Sequence, residues 1–186
     1  MDTSFKGVQY MLASNWFSLL DVDDYKDRPI KYLEIGTFYG ANLLSVEKSY
    51  GLHEDSKLYC IDPWEDYNEY PEYKGEISKV YDVFIENIEN SGKKDKFVVC
   101  RGYSNNEILK FQDEFFDIIY IDGNHEAEYV LEDAILSFRK LKKNGIMIFD
   151  DYLWETVRIG IHAFLSAYKN KLTYIINEQV FVRKLA

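Results

Sequence analysis

The chain is predicted to fold as a single α/β layered domain around a mostly parallel β-sheet. From residue 30 onward, apolar runs of strand length alternate with stretches of helical period, and no repeat, low-complexity tract or Pro/Gly-rich linker interrupts them. At 186 residues with 47% hydrophobic content, it has the size and composition of one domain with a substantial core. Its last segment, LTYIINEQVFVRK, holds two β-rich runs around Asn177-Glu178, the pattern of an antiparallel hairpin at a sheet edge.

Phe5, Val8, Leu12, Trp16 and Leu19 recur at three- and four-residue spacing, which predicts an N-terminal helix within a helical cap over residues 1–25. Strands are expected at 30–35, 57–62, 96–101, 116–122 and 145–150, with helices between them near 40–50, 74–90, 104–112, 126–141 and 155–169. The helix after the fourth strand has the clearest signature. Val130, Leu131, Ala134, Ile135, Phe138 and Leu141 form one apolar stripe, Glu128, Glu132 and Lys140 face outward, and KKNG ends it with cations and an Asn-Gly cap. In open parallel sheets ligands bind beyond the carboxyl ends of the strands, where the strand order reverses. The residues singled out below sit at such ends.

A formal charge of -10, with lysines and arginines scattered rather than gathered into a stripe, argues against a nucleic-acid partner. The same charge is no obstacle to a cationic cofactor or a divalent metal. No apolar run approaches the roughly eighteen residues of a membrane span, and the N-terminus lacks the basic head and apolar middle of a signal peptide. A soluble, cytoplasmic protein without a membrane partner is expected. Cys60 and Cys100 each close an apolar run and read as buried thiols.

The first strand runs into YLEIGTFYGAN, where Glu34, Gly36 and Gly40 form an E-x-G-x-x-x-G spacing ahead of a helix. Glycines there allow a tight turn and a close approach of backbone to ligand. Position 38 is Phe, so the G-x-G-x-x-G fingerprint of a dinucleotide site is absent. The second strand ends in YCIDPW, placing Asp62 where a carboxylate can accept both hydroxyls of a ribose or, equally, cap the next helix.

With RGYSNNEIL and FDIIYIDGNHEAEYVLEDAILSFRKLKKNGIMIFDDY following in order, the chain from about Ile30 onward resembles the class I S-adenosylmethionine-dependent methyltransferases. It is most similar to the small-molecule O-methyltransferase branch, which includes catechol-type, caffeoyl-coenzyme A-type and macrocin-type sugar enzymes. The resemblance implies a single methyltransferase domain over residues 1–186. Its fold would be a Rossmann-like three-layer αβα sandwich whose seven-stranded sheet ends in an antiparallel hairpin. It also implies that Glu34, Gly36, Thr37 and Phe38 line the methionine half of S-adenosylmethionine, that Asp62 holds the ribose and that Tyr103 and Ser104 border the adenine, with Gly40 and Asp122 also against the cofactor. Asn42 stands where catechol-type enzymes place a serine that contacts the methionine carboxylate.

Asp122 ends the fourth strand, and Asp150 and Asp151 end the fifth; neighbouring strands lie roughly 5 Å apart, so three carboxylates are expected to converge. Hard oxygen ligands at one mouth suit Mg²⁺, Mn²⁺ or Ca²⁺. Catechol-type enzymes carry Asp, Asp, Asn there, so Asp151 departs from their pattern. The alternative is that Asp151 caps the last helix and Asp122 touches only cofactor. His125, in DGNHEAEY, matches a histidine of the macrocin-type enzymes, and His125 or Asp122 is the expected proton acceptor for a substrate hydroxyl. A histidine at a helix start is otherwise an exposed turn residue. The aromatic, acidic stretch at 63–75 reads as a lid or as a tethered surface loop. Trp64, Tyr67, Tyr70 and, beyond the double aspartate, Trp154 are candidate rings for the acceptor.

These readings together predict methyl transfer to a hydroxyl of a sugar or other small molecule, with a homodimer allowed. Alternatives are a phenolic O-methyltransferase, a non-catalytic cofactor-binding module, or an oxygenase relative similar to the cephalosporin hydroxylase-like proteins.

Overall fold

The computed structural model describes residues 5–9, 12–66 and 73–185. Seven strands form one sheet: β1 (Lys31–Ile35), β2 (Lys57–Asp62), β3 (Phe97–Arg101), β4 (Phe116–Ile121), β5 (Leu141–Phe149), β6 (Leu172–Ile176) and β7 (Val180–Lys184). Their spatial order is β3-β2-β1-β4-β5-β7-β6, with the first five parallel and β7 antiparallel to both β5 and β6. The expected terminal hairpin is present, with β6 on the edge. The strand order reverses at β1, which pairs with β2 on one side and β4 on the other, so the switch point lies between Ile35 and Ile121.

Helices α1 (Ala41–Glu47), α2 (Ile77–Asn90), α3 (Ser104–Glu107), α4 (Ala127–Lys140) and α5 (Glu155–Tyr168) cover the sheet. Side chains alternate along each strand and both faces of the sheet are covered, so the parallel strands read as continuous apolar runs. Tyr32, Cys60, Ile118, Tyr120 and Ile148 point to the layer of α1, α2 and the N-terminal segment. Leu33, Ile35, Ile119, Ile121 and Met147 point to α4 and α5. No described helix is long and apolar enough to cross a membrane.

The N-terminal cap departs from expectation. Instead of one helix through Phe5–Leu19, two short 3₁₀ turns occur at Ala13–Trp16 and Val22–Asp24. Gly7 adopts φ +97° against the ring of Tyr39, a conformation that no helix contains. The main chain of Lys6 is held by the Asn87 side chain: its N–H donates to Asn87 Oδ1, and Asn87 Nδ2 donates to its carbonyl, both at 2.8 Å. The apolar spacing reflects a segment draped over the sheet, with Ala13, Trp16 and Leu20 buried.

Two smaller differences surround α4. KKNG does not cap the helix; Leu141 enters β5 directly and Asn144, at φ +61°, marks an irregularity where the β4–β5 register shifts. Lys140, expected to face outward, is buried and paired with Asp113 at 2.7 Å. Cys60 and Cys100 are free thiols.

Candidate functional site

The turn from β1 into α1 is built from left-handed residues, Gly36 (φ +81°), Phe38 (φ +51°) and Gly40 (φ +82°). A methyl group on Gly36 would lie 1.8 Å from the carbonyl oxygen of Asp122, so this glycine lets the turn pass directly over the end of β4. Asp62 stitches the turn from the neighbouring strand. Its Oδ2 accepts the N–H groups of Thr37 and Phe38 at 2.9 and 3.0 Å, and its Oδ1 accepts that of Trp64 at 2.7 Å. Burial raises the Asp62 pKa, and these three backbone donors pull it back.

Trp64, expected in the lid, is only 3% exposed: its ring stacks on Phe84 of α2 at 4.7 Å and its Nε1 donates to the Phe38 carbonyl. It therefore anchors the glycine turn from below. Tyr67 and Tyr70 lie outside the described residues.

Glu34 and Asn42 face each other beneath the turn. Glu34 Oε2 accepts from Tyr32 Oη at 2.7 Å and from Asn42 Nδ2 at 2.8 Å, and burial pushes its pKa up to about 8. Both side chains are buried, so Asn42, expected to reach a carboxylate of the cofactor, directs its amide to one inside the protein. On the other flank Tyr103 is exposed and donates to Glu65, while Ser104 hydrogen-bonds Asp133, a buried α4 residue whose pKa burial raises to about 7. Beside Ser104, Asn105 keeps a buried Oδ1 without a partner among the described residues.

At the ends of β4 and β5 three side chains meet. His125 Nε2 lies 2.9 Å from Asp151 Oδ2 and 3.8 Å from Asp122 Oδ1, and the three residues offer ligand atoms within 4.8 Å of one another. His125 is 7% exposed beneath the tilted ring of Trp154, 4.6 Å away, whereas 33% of the Asp122 side chain and 34% of the Asp151 side chain remain open. Despite that opening, Asp122 titrates well above the usual carboxylate range. Desolvation is the main cause, the charges of Asp150 and Asp151 add to it, and the neighbouring His125 imidazole opposes it.

Asp150 lies outside this group. It turns toward the face covered by the N-terminal segment, where Tyr120 Oη donates to Oδ2 and Gln179 Nε2 donates to Oδ1 at 3.0 Å. The structure thus brings together Asp122, His125 and Asp151 and sends Asp150 elsewhere. Sequence reasoning missed Tyr120, Asp133 and Gln179. Tyr120 sits inside an apolar run, Asp133 follows a surface glutamate on α4, and Gln179 lies 29 residues from its partner Asp150.

A family model described as a methyltransferase domain matches residues 33–152, a span that includes the glycine turn, Asp62 and the mouth of β4 and β5. A Staphylococcus aureus protein assigned to the caffeoyl-CoA O-methyltransferases is 14% identical, with a TM-score of 0.68 over 98% of this chain and 86% of its own. A Klebsiella pneumoniae protein assigned as an O-methyltransferase is 16% identical, with a TM-score of 0.66 over 97% and 84%. The SAH-bound methyltransferase PaMTH1 of Podospora anserina is 18% identical, with a TM-score of 0.58 over 89% and 76%. The uncharacterized protein R132 of Acanthamoeba polyphaga mimivirus is 26% identical over 149 residues; the match takes in 78% of this chain but only 59% of that protein's length. The solved structures share the fold, and the domain match extends over more than half the residues: the chain belongs to the methyltransferase domain family.

Proposed function

We propose that this methyltransferase is S-adenosylmethionine-dependent and transfers the methyl group to a hydroxyl of a sugar or similar small molecule, assisted by a divalent cation. One observation carries the reading: the Asp122, His125 and Asp151 group stands directly against the glycine turn, since Gly36 packs on the Asp122 carbonyl. A methyl donor seated on the turn and a hydroxyl seated at the acidic mouth are then neighbours.

The residues fit both groups. Gly36 and Gly40 give the turn its left-handed backbone, and the unpaired Oδ1 of Asn105 is an acceptor available to an N–H of a nucleoside. Two carboxylate oxygens converging beside an imidazole nitrogen suit Mg²⁺ or Mn²⁺. A bound ion there would act as a Lewis acid on the acceptor hydroxyl. With the ion held by the Asp122 and Asp151 carboxylates and not by Nε2, His125 Nε2 would take the proton released in the transfer, and Asp151 at 2.9 Å would stabilise the imidazolium. Trp154, 45% exposed beside His125, offers a ring face to the acceptor. A single imidazole with two carboxylates differs from the two-histidine, one-carboxylate set of non-haem iron oxygenases, which disfavours the oxygenase alternative.

The test is transfer from labelled S-adenosylmethionine to a panel of glycosides and catechols, with Mg²⁺, with Mn²⁺ and with chelator. Labelled glycoside, lost on chelation, is expected. Labelling of catechols alone would replace the sugar by a phenol, and cofactor binding with no transfer would make the chain a binding module.

A further inference from the structure

We propose that Asp150 is a positioning residue: clamped by Tyr120 and Gln179, its carboxylate fixes the left-handed backbone of Asp151 and so aims Asp151 at His125. The part that concerns an ion rests on the function proposed above. The part that concerns the Asp151–His125 pairing does not.

Asp151 has φ +51°, a left-handed conformation uncommon outside glycine that Asp tolerates better than most residues, and a contact from its neighbour holds it there. The enforcing contact is local. Asp151 N–H donates to Asp150 Oδ1 at 2.9 Å, so the residue before the twist holds the amide at the twist. Asp150 in turn cannot swing away, because Gln179 Nε2 shares the same Oδ1 and Tyr120 Oη occupies Oδ2. Three donors on a buried carboxylate commit it to the protein and leave the pocket side to Asp151.

Three consequences of the twist are visible. It turns the Asp151 carboxylate away from its neighbour's and onto His125 Nε2. It also presents the Asp151 carbonyl to the N–H of Trp154 at 2.9 Å, closing the turn that lays the Trp154 ring over His125. Finally, it separates two adjacent like charges that would otherwise crowd one mouth. The clamp begins in the hairpin: Gln179 precedes β7, and its carbonyl accepts the N–H of Asn177 at 2.8 Å, which fixes the loop that carries it. The antiparallel edge of the sheet thereby reaches the site without touching it.

Asp150→Asn and Gln179→Leu are compared with the unaltered chain for Mn²⁺ affinity by EPR and for S-adenosylhomocysteine affinity by calorimetry. Asp151 amide exchange and His125 ring nitrogen shifts are recorded by NMR without metal. Asn at 150 keeps an acceptor for the Asp151 amide, so Mn²⁺ affinity should stay within about threefold, whereas loss of the clamp in Gln179→Leu should weaken it about tenfold. S-adenosylhomocysteine affinity should hold within about twofold in both. A drop of more than about tenfold in Asp150→Asn would make Asp150 a ligand and overturn the proposal, as would unchanged Mn²⁺ affinity in Gln179→Leu. If the unaltered chain binds no Mn²⁺, the ion in the proposed function fails and the metal-free spectra decide the positioning role. Gln179→Leu should then speed Asp151 amide exchange about tenfold or more and shift the His125 ring nitrogens; unchanged spectra would overturn it.

Discussion

The glycine turn after β1 and the acidic mouth of β4 and β5 lie side by side but solve the burial of charge in opposite ways. At the turn each carboxylate has its donors within the protein: Asp62 takes three backbone N–H groups and Glu34 takes Tyr32 and Asn42. At the mouth Asp122 and Asp151 share one imidazole, and each keeps a third of its side chain open. The carboxylates of the first region are satisfied within the protein. The second gathers two carboxylates around a single nitrogen, an arrangement that a proton or a metal ion would balance.

The contrast breaks most sharply at the point where the two regions touch. Gly36→Ala would put a methyl group 1.8 Å from the Asp122 carbonyl at φ +81°, so one backbone or the other must move. A loss of about 3 kcal/mol or more of stability is expected in denaturant titration, with cofactor binding lost alongside. Next in size, Asp151→Ala removes one of the carboxylates at the mouth. Mn²⁺ affinity should fall at least about 100-fold while S-adenosylhomocysteine affinity changes less than about tenfold, read by EPR and calorimetry on the same sample.

Asp62→Ala should give the converse pattern. It strands three amides, each worth about 1–3 kcal/mol when left unpaired, so the turn loosens and calorimetry should show cofactor affinity falling about tenfold or more with Mn²⁺ affinity preserved. If both variants damaged both ligands equally, the two regions would be one.

The mildest test uses Glu34, whose folded pKa of about 8 lies above its unfolded value near 4.5. Between those values the folded chain holds a proton that the unfolded chain has released, so this group's contribution is full below about pH 4.5 and is lost as pH rises to about 8. Glu34→Gln keeps the neutral shape at every pH. Its stability relative to the unaltered chain should therefore rise between pH 5 and pH 8, and an unchanged difference would show that Glu34 is ionised in the folded state.

Much of the sheet was legible because strands buried on both faces leave unbroken apolar runs: β2 falls on the expected 57–62, and the other parallel strands differ by a few residues at their ends. Asp122 and Asp151 were legible as strand-end residues for the same reason, and His125 through the resemblance carried by DGNHEAEY. The division of labour between Asp150 and Asp151 was not. It depends on a left-handed residue and on a glutamine that only the tertiary fold brings near. Trp64 misled because an aromatic residue after a proline reads as surface, whereas Phe84, twenty residues later, buries its ring. The N-terminal spacing misled because residues that cover a sheet need only touch it at intervals, and 3₁₀ turns do so as well as a helix.

Asn87 gives the chain's first residues more importance than their position implies. The side-chain nitrogen that donates to the carbonyl of Lys6 also donates to that of Tyr39, inside the glycine turn. One amide thus fastens both the leading strip of polypeptide and the wall of the cleft, and trimming the chain past Lys6 would slacken the wall as well.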